Sequence, residues 1–179
     1  MFQIRVHGRG GQGVVTAAEM LSIAAFLEKK HAQAFPSFGS ERMGAPVMAF
    51  CRISNKEIRL REPVLEPNAL IIQDRTVIES SNAFQGVVEN GFVLVNSSVE
   101  ISNPVKNVNI KCIDATGIAL EHVGRPIPNA VLLGSFAALT KIIKIDSVIE
   151  AIKTKFSGSI AEKNIKAAQI AYEETLKGI

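Results

Sequence analysis

Apolar and polar residues alternate through Phe2-Gln3-Ile4-Arg5-Val6, the period of a strand. A nearly unbroken apolar run from Val14 to Leu27, rich in Ala and Leu, predicts a mostly buried helix. Further along, about His31–Phe35 reads as a second strand. Val47–Ile53 and Glu57–Leu60 flank Ser54-Asn55-Lys56 and predict a hairpin, which would make the sheet mixed. Ala69–Gln73, ending at Asp74, and Phe92–Asn96 read as buried strands, and Lys111-Cys112-Ile113 leads through Asp114 into a short helix. The last third is helical. Pro128 suits the first turn of a helix running through Ala130–Lys141, Asp146 is expected to cap Val148–Phe156, and Ala161–Leu176 is amphipathic. The expected fold is α/β: a three-layer α/β/α single domain, residues 1–179, around a mixed, mostly parallel sheet.

The chain between the first strand and helix is His7-Gly8-Arg9-Gly10-Gly11-Gln12-Gly13. A reversal this tight needs positive φ and close backbone approach, which glycine supplies. It also sets backbone N–H groups and a helix N-terminus where they can point at an anion. Gly8, Arg9, Gly10, Gly11, Gln12 and Gly13 are therefore candidate phosphate-binding residues. The string fits G-x-G-x-x-G, but that fingerprint also needs an acid about 20 positions on, ending the next strand. Glu28 has the right count yet falls near the helix end, and His31–Phe35 carries no acid. The loop also lacks the Lys-Ser/Thr ending of a nucleotide-hydrolysing P-loop. A plainer alternative stays open, that the glycines only let helix and strand pack closely.

A second loop, Ala34-Phe35-Pro36-Ser37-Phe38-Gly39-Ser40-Glu41-Arg42-Met43-Gly44-Ala45-Pro46, is punctuated by turn residues. Arg42 offers a forked donor for a carboxylate or phosphate, and Ser37 and Gly39 favour close approach. The alternative is an ordinary Glu41–Arg42 surface pair.

No self-sufficient active site emerges. His7, His31 and His122 are dispersed without metal spacing, and Ser37 and Ser40 belong to no G-x-S-x-G elbow. His7, beside the glycine loop, suits loop carbonyls better than a ligand. Asp74 and Asp114 end strands and are accounted for as helix caps. Cys51 and Cys112 lie far apart, which excludes a self-contained zinc or four-cysteine iron–sulfur site, and Cys51 reads as a buried structural thiol. The chain has 179 residues, 47% of them hydrophobic, enough for one substantial core and sizeable partner contacts. Net charge is +3 with scattered Lys and Arg, so no nucleic-acid footprint is present. No run reaches the roughly 18 apolar residues of a membrane span. A cytoplasmic protein is the expectation, since no signal peptide is evident.

With both loops in view, the chain resembles the gamma subunit of the 2-oxoacid:ferredoxin oxidoreductases, most closely the pyruvate type. The residues that carry the resemblance are Gly8-Arg9-Gly10-Gly11-Gln12-Gly13-Val14-Val15-Thr16-Ala17-Ala18-Glu19 and the second loop through Val47. Pro128-Asn129-Ala130-Val131-Leu132-Leu133-Gly134 and the helix around Lys163–Ala168 are also similar. Subunits of the 2-oxoglutarate branch tend to carry Tyr-Gly-Pro-Glu where this chain has Phe38-Gly39-Ser40-Glu41. The resemblance implies an accessory subunit working with alpha, beta and delta subunits. These partners would hold thiamine diphosphate, Mg and the 4Fe-4S clusters, and none of these groups would be bound by this chain alone. The complex would convert pyruvate and coenzyme A to acetyl-CoA and CO2, passing electrons to ferredoxin or flavodoxin. This chain would be a scaffold and coenzyme A-facing wall, with Gly8–Gly13, Ser37, Gly39 and Arg42 meeting a coenzyme A phosphate or a neighbouring subunit. Two alternatives are a gamma subunit for another 2-oxoacid (2-oxoglutarate or branched-chain) and a stand-alone dinucleotide-binding oxidoreductase.

Overall fold

The computed structural model describes residues 1–37, 43–102 and 105–178. Gly39 and Arg42, with Phe38, Ser40 and Glu41, lie outside the described residues.

The chain folds as a mixed six-stranded sheet with helices. Strand β1 (Phe2–Arg9) leads through the glycine loop to α1 (Val14–Leu27), then β2 (His31–Pro36) and β3 (Pro46–Ser54). There follow β4 (Ala69–Ile72), the short α2 (Val77–Ser80), β5 (Phe92–Asn96) and β6 (Asn109–Ile113). Four helices complete it: α3 (Ala115–His122), α4 (Asn129–Thr140), α5 (Ile145–Lys155) and α6 (Gly158–Lys177). The strand order is β2-β3-β1-β4-β5-β6. Strands β1, β4, β5 and β6 run parallel, while β3 is antiparallel to both β1 and β2. The parallel strands thus all end on one edge of the sheet.

Period-two alternation sorts the strands onto two faces. Ile4, Val6, Ala49, Cys51, Ile53, Ala69, Ile71 and Leu94 face the main core, which α1, α3, α4, α5 and α6 cover. Leu70, Ile72, Val93 and Val95 face the other way, against Val77, Ala83 and Phe84. That second layer is thin, made of α2 and irregular chain. Around β1 and β3 it is polar: Arg5 and Arg52 are buried there. Arg5 donates to the carbonyls of Val64, Ala83 and Gln85, and Arg52 to those of Glu62 and Pro63. These two guanidiniums hold the loops over the sheet.

The expected hairpin does not form. Residues 57–60 are not a strand, because β3 already has β1 on one edge and β2 on the other. The mixed character comes instead from β3 itself. Asp146 lies in the first turn of α5, with Lys144 at the cap position. Helix α1 is buried through Ala25 but ends exposed, with Phe26 at 73% and Leu27 at 49%. Helices α4 and α6 pack through small residues: Ala167, Ala168 and Ala171 are fully buried, and Ser135 Oγ lies 2.6 Å from Thr175 Oγ1. A Cβ on Gly134 would fall on the carbonyl of Ala168, so only glycine permits this approach.

Candidate functional site

The glycine loop sits at the carboxyl end of β1, where ligands gather in open α/β sheets. Strand β1 extends through Arg9, so Gly8 belongs to the strand rather than to the turn. A Cβ on Gly8 would lie 2.7 Å from Val14 Cγ2 and 3.2 Å from Gln73 Cβ, so the first glycine serves packing. Gly11 (φ 94°) and Gly13 (φ 72°) make the reversal, both in the left-handed region that favours glycine. Gly13 also lies against the start of α4: a Cβ there would be 2.5 Å from Asn129 Nδ2.

Much of the loop is satisfied from within. Gly10 N–H donates to the Ala45 carbonyl (2.9 Å), Gly44 N–H to the Gly10 carbonyl (3.1 Å), and Gln12 N–H to the Arg9 carbonyl (3.1 Å). Gly10 and Met43 form a parallel bridge, so the glycine loop and the end of the second loop are one structure. The Gly11 and Gly13 N–H groups have no acceptor among the described residues, and they stand at the positive end of α1. Of the Gly10–Gly13 amides, two are therefore internal, and two have no acceptor among the described residues.

Arg9 is a staple. Its guanidinium donates to the Gly44 carbonyl (2.8 Å) and to Thr76 Oγ1 (2.7 Å) and pairs with Asp74 at 3.4 Å. Gln12 bridges the same parts, its Oε1 accepting Arg9 N–H (2.8 Å) and its Nε2 donating to Asp74 Oδ2 (3.0 Å). Burial alone would raise the Asp74 pKa. The hydrogen bonds from Thr76 and Gln12 and the Arg9 charge outweigh it and hold the carboxyl below its ordinary range. Ser37 reaches the same sheet edge across β3, its N–H donating to the Met48 carbonyl (2.9 Å) while Met48 pairs with His7.

Asp74 and Asp114 do face one crevice. A cavity of about 470 Å³ lies beside the loop, lined among others by Gln12, Gln73, Asp74, Asn96, Asp114 and Thr116. Asp114 also caps α3, accepting from Gly117 N–H at 2.8 Å. Asp74 ends the parallel neighbour of β1, the position a ribose-binding acid holds in dinucleotide folds. Sequence counting could not find it, because β2 and β3 intervene in the chain. Glu28 is excluded from the loop: α1 carries it roughly 21 Å away at 1.5 Å per residue. There it takes the Lys144 N–H (2.7 Å) and the Lys30 ammonium (3.0 Å).

His7 is fully enclosed behind the loop. Its Nε2 accepts from Arg5 Nε at 2.9 Å, which places the ring proton on Nδ1 beside Ser81 Oγ. Burial first, and then the Arg5 charge, lower its pKa from 6.5 to about 3, so the imidazole is neutral. Its role is structural. Cys51 is buried in the main core and its thiol is pushed well up by burial, whereas Cys112 packs on the opposite face. These two thiols cannot ligate one cluster. Among the described residues, no group of three or more His, Cys, Asp or Glu could hold a metal ion. No helix among them is long and apolar enough to cross a membrane.

Residues 3–174 match the family described as pyruvate ferredoxin/flavodoxin oxidoreductase. The chain is 51% identical over 174 residues to a pyruvate synthase subunit PorC of Methanothermobacter marburgensis, covering 97% of each chain. It is 47% identical over 180 residues to the pyruvate/ketoisovalerate oxidoreductases common subunit gamma of Pyrococcus furiosus, covering 98% of this chain and 97% of that one. Among solved structures it is similar to pyruvate oxidoreductase subunit PORC of Thermotoga maritima. The TM-score is 0.83 at 35% identity, over 96% of this chain and 95% of that one. The fold alone recurs in 2-oxoglutarate:ferredoxin oxidoreductase of Magnetococcus marinus, at TM-score 0.79 and 16% identity, over 99% of this chain and 31% of that one. The chain belongs to the pyruvate ferredoxin/flavodoxin oxidoreductase family, as one of its gamma subunits.

Proposed function

We propose that this chain, a single gamma domain over residues 1–179, is the accessory subunit of a cytoplasmic pyruvate:ferredoxin oxidoreductase. The complex makes acetyl-CoA and CO2 from pyruvate and coenzyme A and passes the electrons to ferredoxin or flavodoxin. Alpha, beta and delta subunits hold thiamine diphosphate, Mg and the 4Fe-4S clusters. The two cysteines of this chain, on opposite faces of the sheet, do not fit a cluster. Its own contribution is a wall facing coenzyme A.

One observation carries that assignment: the Gly11 and Gly13 N–H groups, at the positive end of α1, have no acceptor among the described residues. A phosphate oxygen is the partner they suit. Arg9, Gly10 and Gln12 hold the loop in shape through the bonds to Ala45, Gly44, Thr76 and Asp74, and Gly8 through its close packing on Val14. Ser37, Gly39 and Arg42 remain candidates for the same anion from the sequence, the Arg42 guanidinium being by its chemistry a charged, forked donor that suits a phosphate. A fixed wall of this kind spends binding energy on holding coenzyme A rather than on bond-making.

Replacing Arg42 by Ala should raise the apparent KM for coenzyme A about tenfold, the worth of one charge-assisted hydrogen bond, and leave the KM for pyruvate unchanged. An unaltered coenzyme A dependence in an intact complex would remove the assignment. A neighbouring-subunit role for the same loop is favoured by Met43, which is 86% exposed and would be 2.9 Å from a Cβ on Gly11. The name of the Pyrococcus furiosus relative, a common subunit, supports a second reading in which this chain also serves a branched-chain 2-oxoacid oxidoreductase.

A further inference from the structure

Gln73 follows the last residue of β4 and continues its alternation, so its side chain lies on the same sheet face as Ala69 and Ile71. Its backbone is matched: the N–H donates to the His7 carbonyl (2.8 Å), and the carbonyl accepts from Asn96 Nδ2 (2.8 Å). Its carboxamide is not. Gln73 is only 1% exposed and lines the 470 Å³ crevice, yet neither Nε2 nor Oε1 has a hydrogen-bond partner among the described residues. The polar side chains around it are already engaged. Gln12 is bound to Arg9 and Asp74, Asp74 to Thr76 as well, and Asn96 to Thr116. Arg75 is the one cation lining the crevice, and its guanidinium has no ion pair or hydrogen bond among the described residues.

A buried carboxamide with donor and acceptor both unmatched costs free energy, which a group offering an acceptor and a donor together restores. Sugar hydroxyls do so. The lining favours a sugar over a base: no aromatic side chain is there for stacking, and Val99 is its sole apolar residue. Asp74 and Asp114 disfavour a bare anion, but Arg75 suits one phosphate carried on the sugar. In open α/β sheets a nucleotide sets its phosphates on the glycine loop and its ribose at the end of the neighbouring parallel strand, and here that strand is β4. We infer that the crevice binds a ribose 3′-phosphate, the group that coenzyme A carries. A ribose hydroxyl donates to Gln73 Oε1, Gln73 Nε2 donates to a ribose oxygen, and the Arg75 guanidinium pairs with the 3′-phosphate. This site rests on the coenzyme A reading of the glycine loop and adds the part of the ligand that Gly11 and Gly13 do not touch.

The assembled oxidoreductase is assayed with coenzyme A and with dephospho-coenzyme A, which lacks only the 3′-phosphate. The parent should have the lower apparent KM for coenzyme A. Arg75→Ala should raise that KM about tenfold and leave the KM for dephospho-coenzyme A unchanged, which abolishes the preference. Gln73→Leu should raise both by a similar factor and leave the KM for pyruvate unchanged. Because it removes unmatched buried polar atoms, the Leu variant should unfold at the same temperature as the parent or higher, so misfolding does not account for its effect. Equal KM values for the two acceptors in the parent, a preference that survives Arg75→Ala, or a Gln73→Leu enzyme unchanged toward both would each overturn the site. If Arg42→Ala raises the KM for coenzyme A while the Arg75 and Gln73 variants do not, the crevice site fails alone. If none of the three variants does, the coenzyme A reading fails with it.

Discussion

Gln12 and Asp74 are joined by a 3.0 Å hydrogen bond from Nε2 to Oδ2, and the other end of the same amide takes the Arg9 N–H at 2.8 Å. One side chain therefore ties the glycine loop to the end of the neighbouring parallel strand. Gln12→Leu keeps the volume but leaves the Arg9 N–H and one Asp74 lone pair unmatched. The expected loss is about 1–2 kcal/mol of stability, measured by urea unfolding of the isolated chain. In the assembled enzyme the apparent KM for coenzyme A should rise, because the free Gly11 and Gly13 amides lose their fixed orientation. A variant as stable as the parent would show that the bridge is incidental.

Packing of α4 on α6 depends on Gly134. A side chain there meets the Ala168 backbone, which cannot rotate away as a flexible side chain could. Gly134→Val should cost about 3 kcal/mol or more through overpacking, with Gly134→Ala costing less. Thermal unfolding of the two variants against the parent checks the order. A Val variant with an unchanged midpoint would contradict the close approach.

The buried His7 imposes a pH dependence. Its folded-state pKa, about 3, lies below the 6.5 of a free imidazole, so folding excludes a proton. Stability from this group is complete above pH 6.5 and is lost as pH falls from there toward 3, at up to about 1.4 kcal/mol per pH unit. His7→Gln can still accept from Arg5 but does not titrate. Urea unfolding at pH 7, 6 and 5 should show a slope shallower by about one proton in the variant. Equal slopes would mean that His7 takes up its proton without unfolding the chain.

Local pattern in the sequence reaches a long way into this fold. The apolar run Val14–Leu27 is α1 residue for residue, and the strands read at Ala69, Phe92 and Lys111 all form. Partner choice is not local. The segment after Ser54 has strand-like alternation, but both edges of β3 are occupied, so the hairpin is displaced by a longer-range pairing with β1. For the same reason the acid beside the glycine loop is Asp74, supplied by β4, rather than anything near Glu28. Alternation through Phe2–Val6 marked Arg5 as part of the polar face of β1, with His7 at the strand end beside the loop. What it could not contain was the cover from residues 64 and 83–85, which turns that face into a buried network. Within the loop, glycine spacing pointed to an anion cradle, yet Gly8 serves packing, and the Gly10 amide is spent on Ala45, a residue 35 positions away. Only the folded chain distinguishes those glycines from Gly11 and Gly13.

The account rests on this chain being one subunit of a pyruvate-oxidising complex. The direct test is mild affinity purification from its native host, with identification of the co-purifying chains and assay of coenzyme A-dependent pyruvate oxidation with ferredoxin as acceptor. The expected result is a complex of alpha, beta, gamma and delta chains that contains thiamine diphosphate and iron–sulfur clusters and oxidises pyruvate. A lone, colourless protein at native concentration, with no such activity in the eluate, would contradict it.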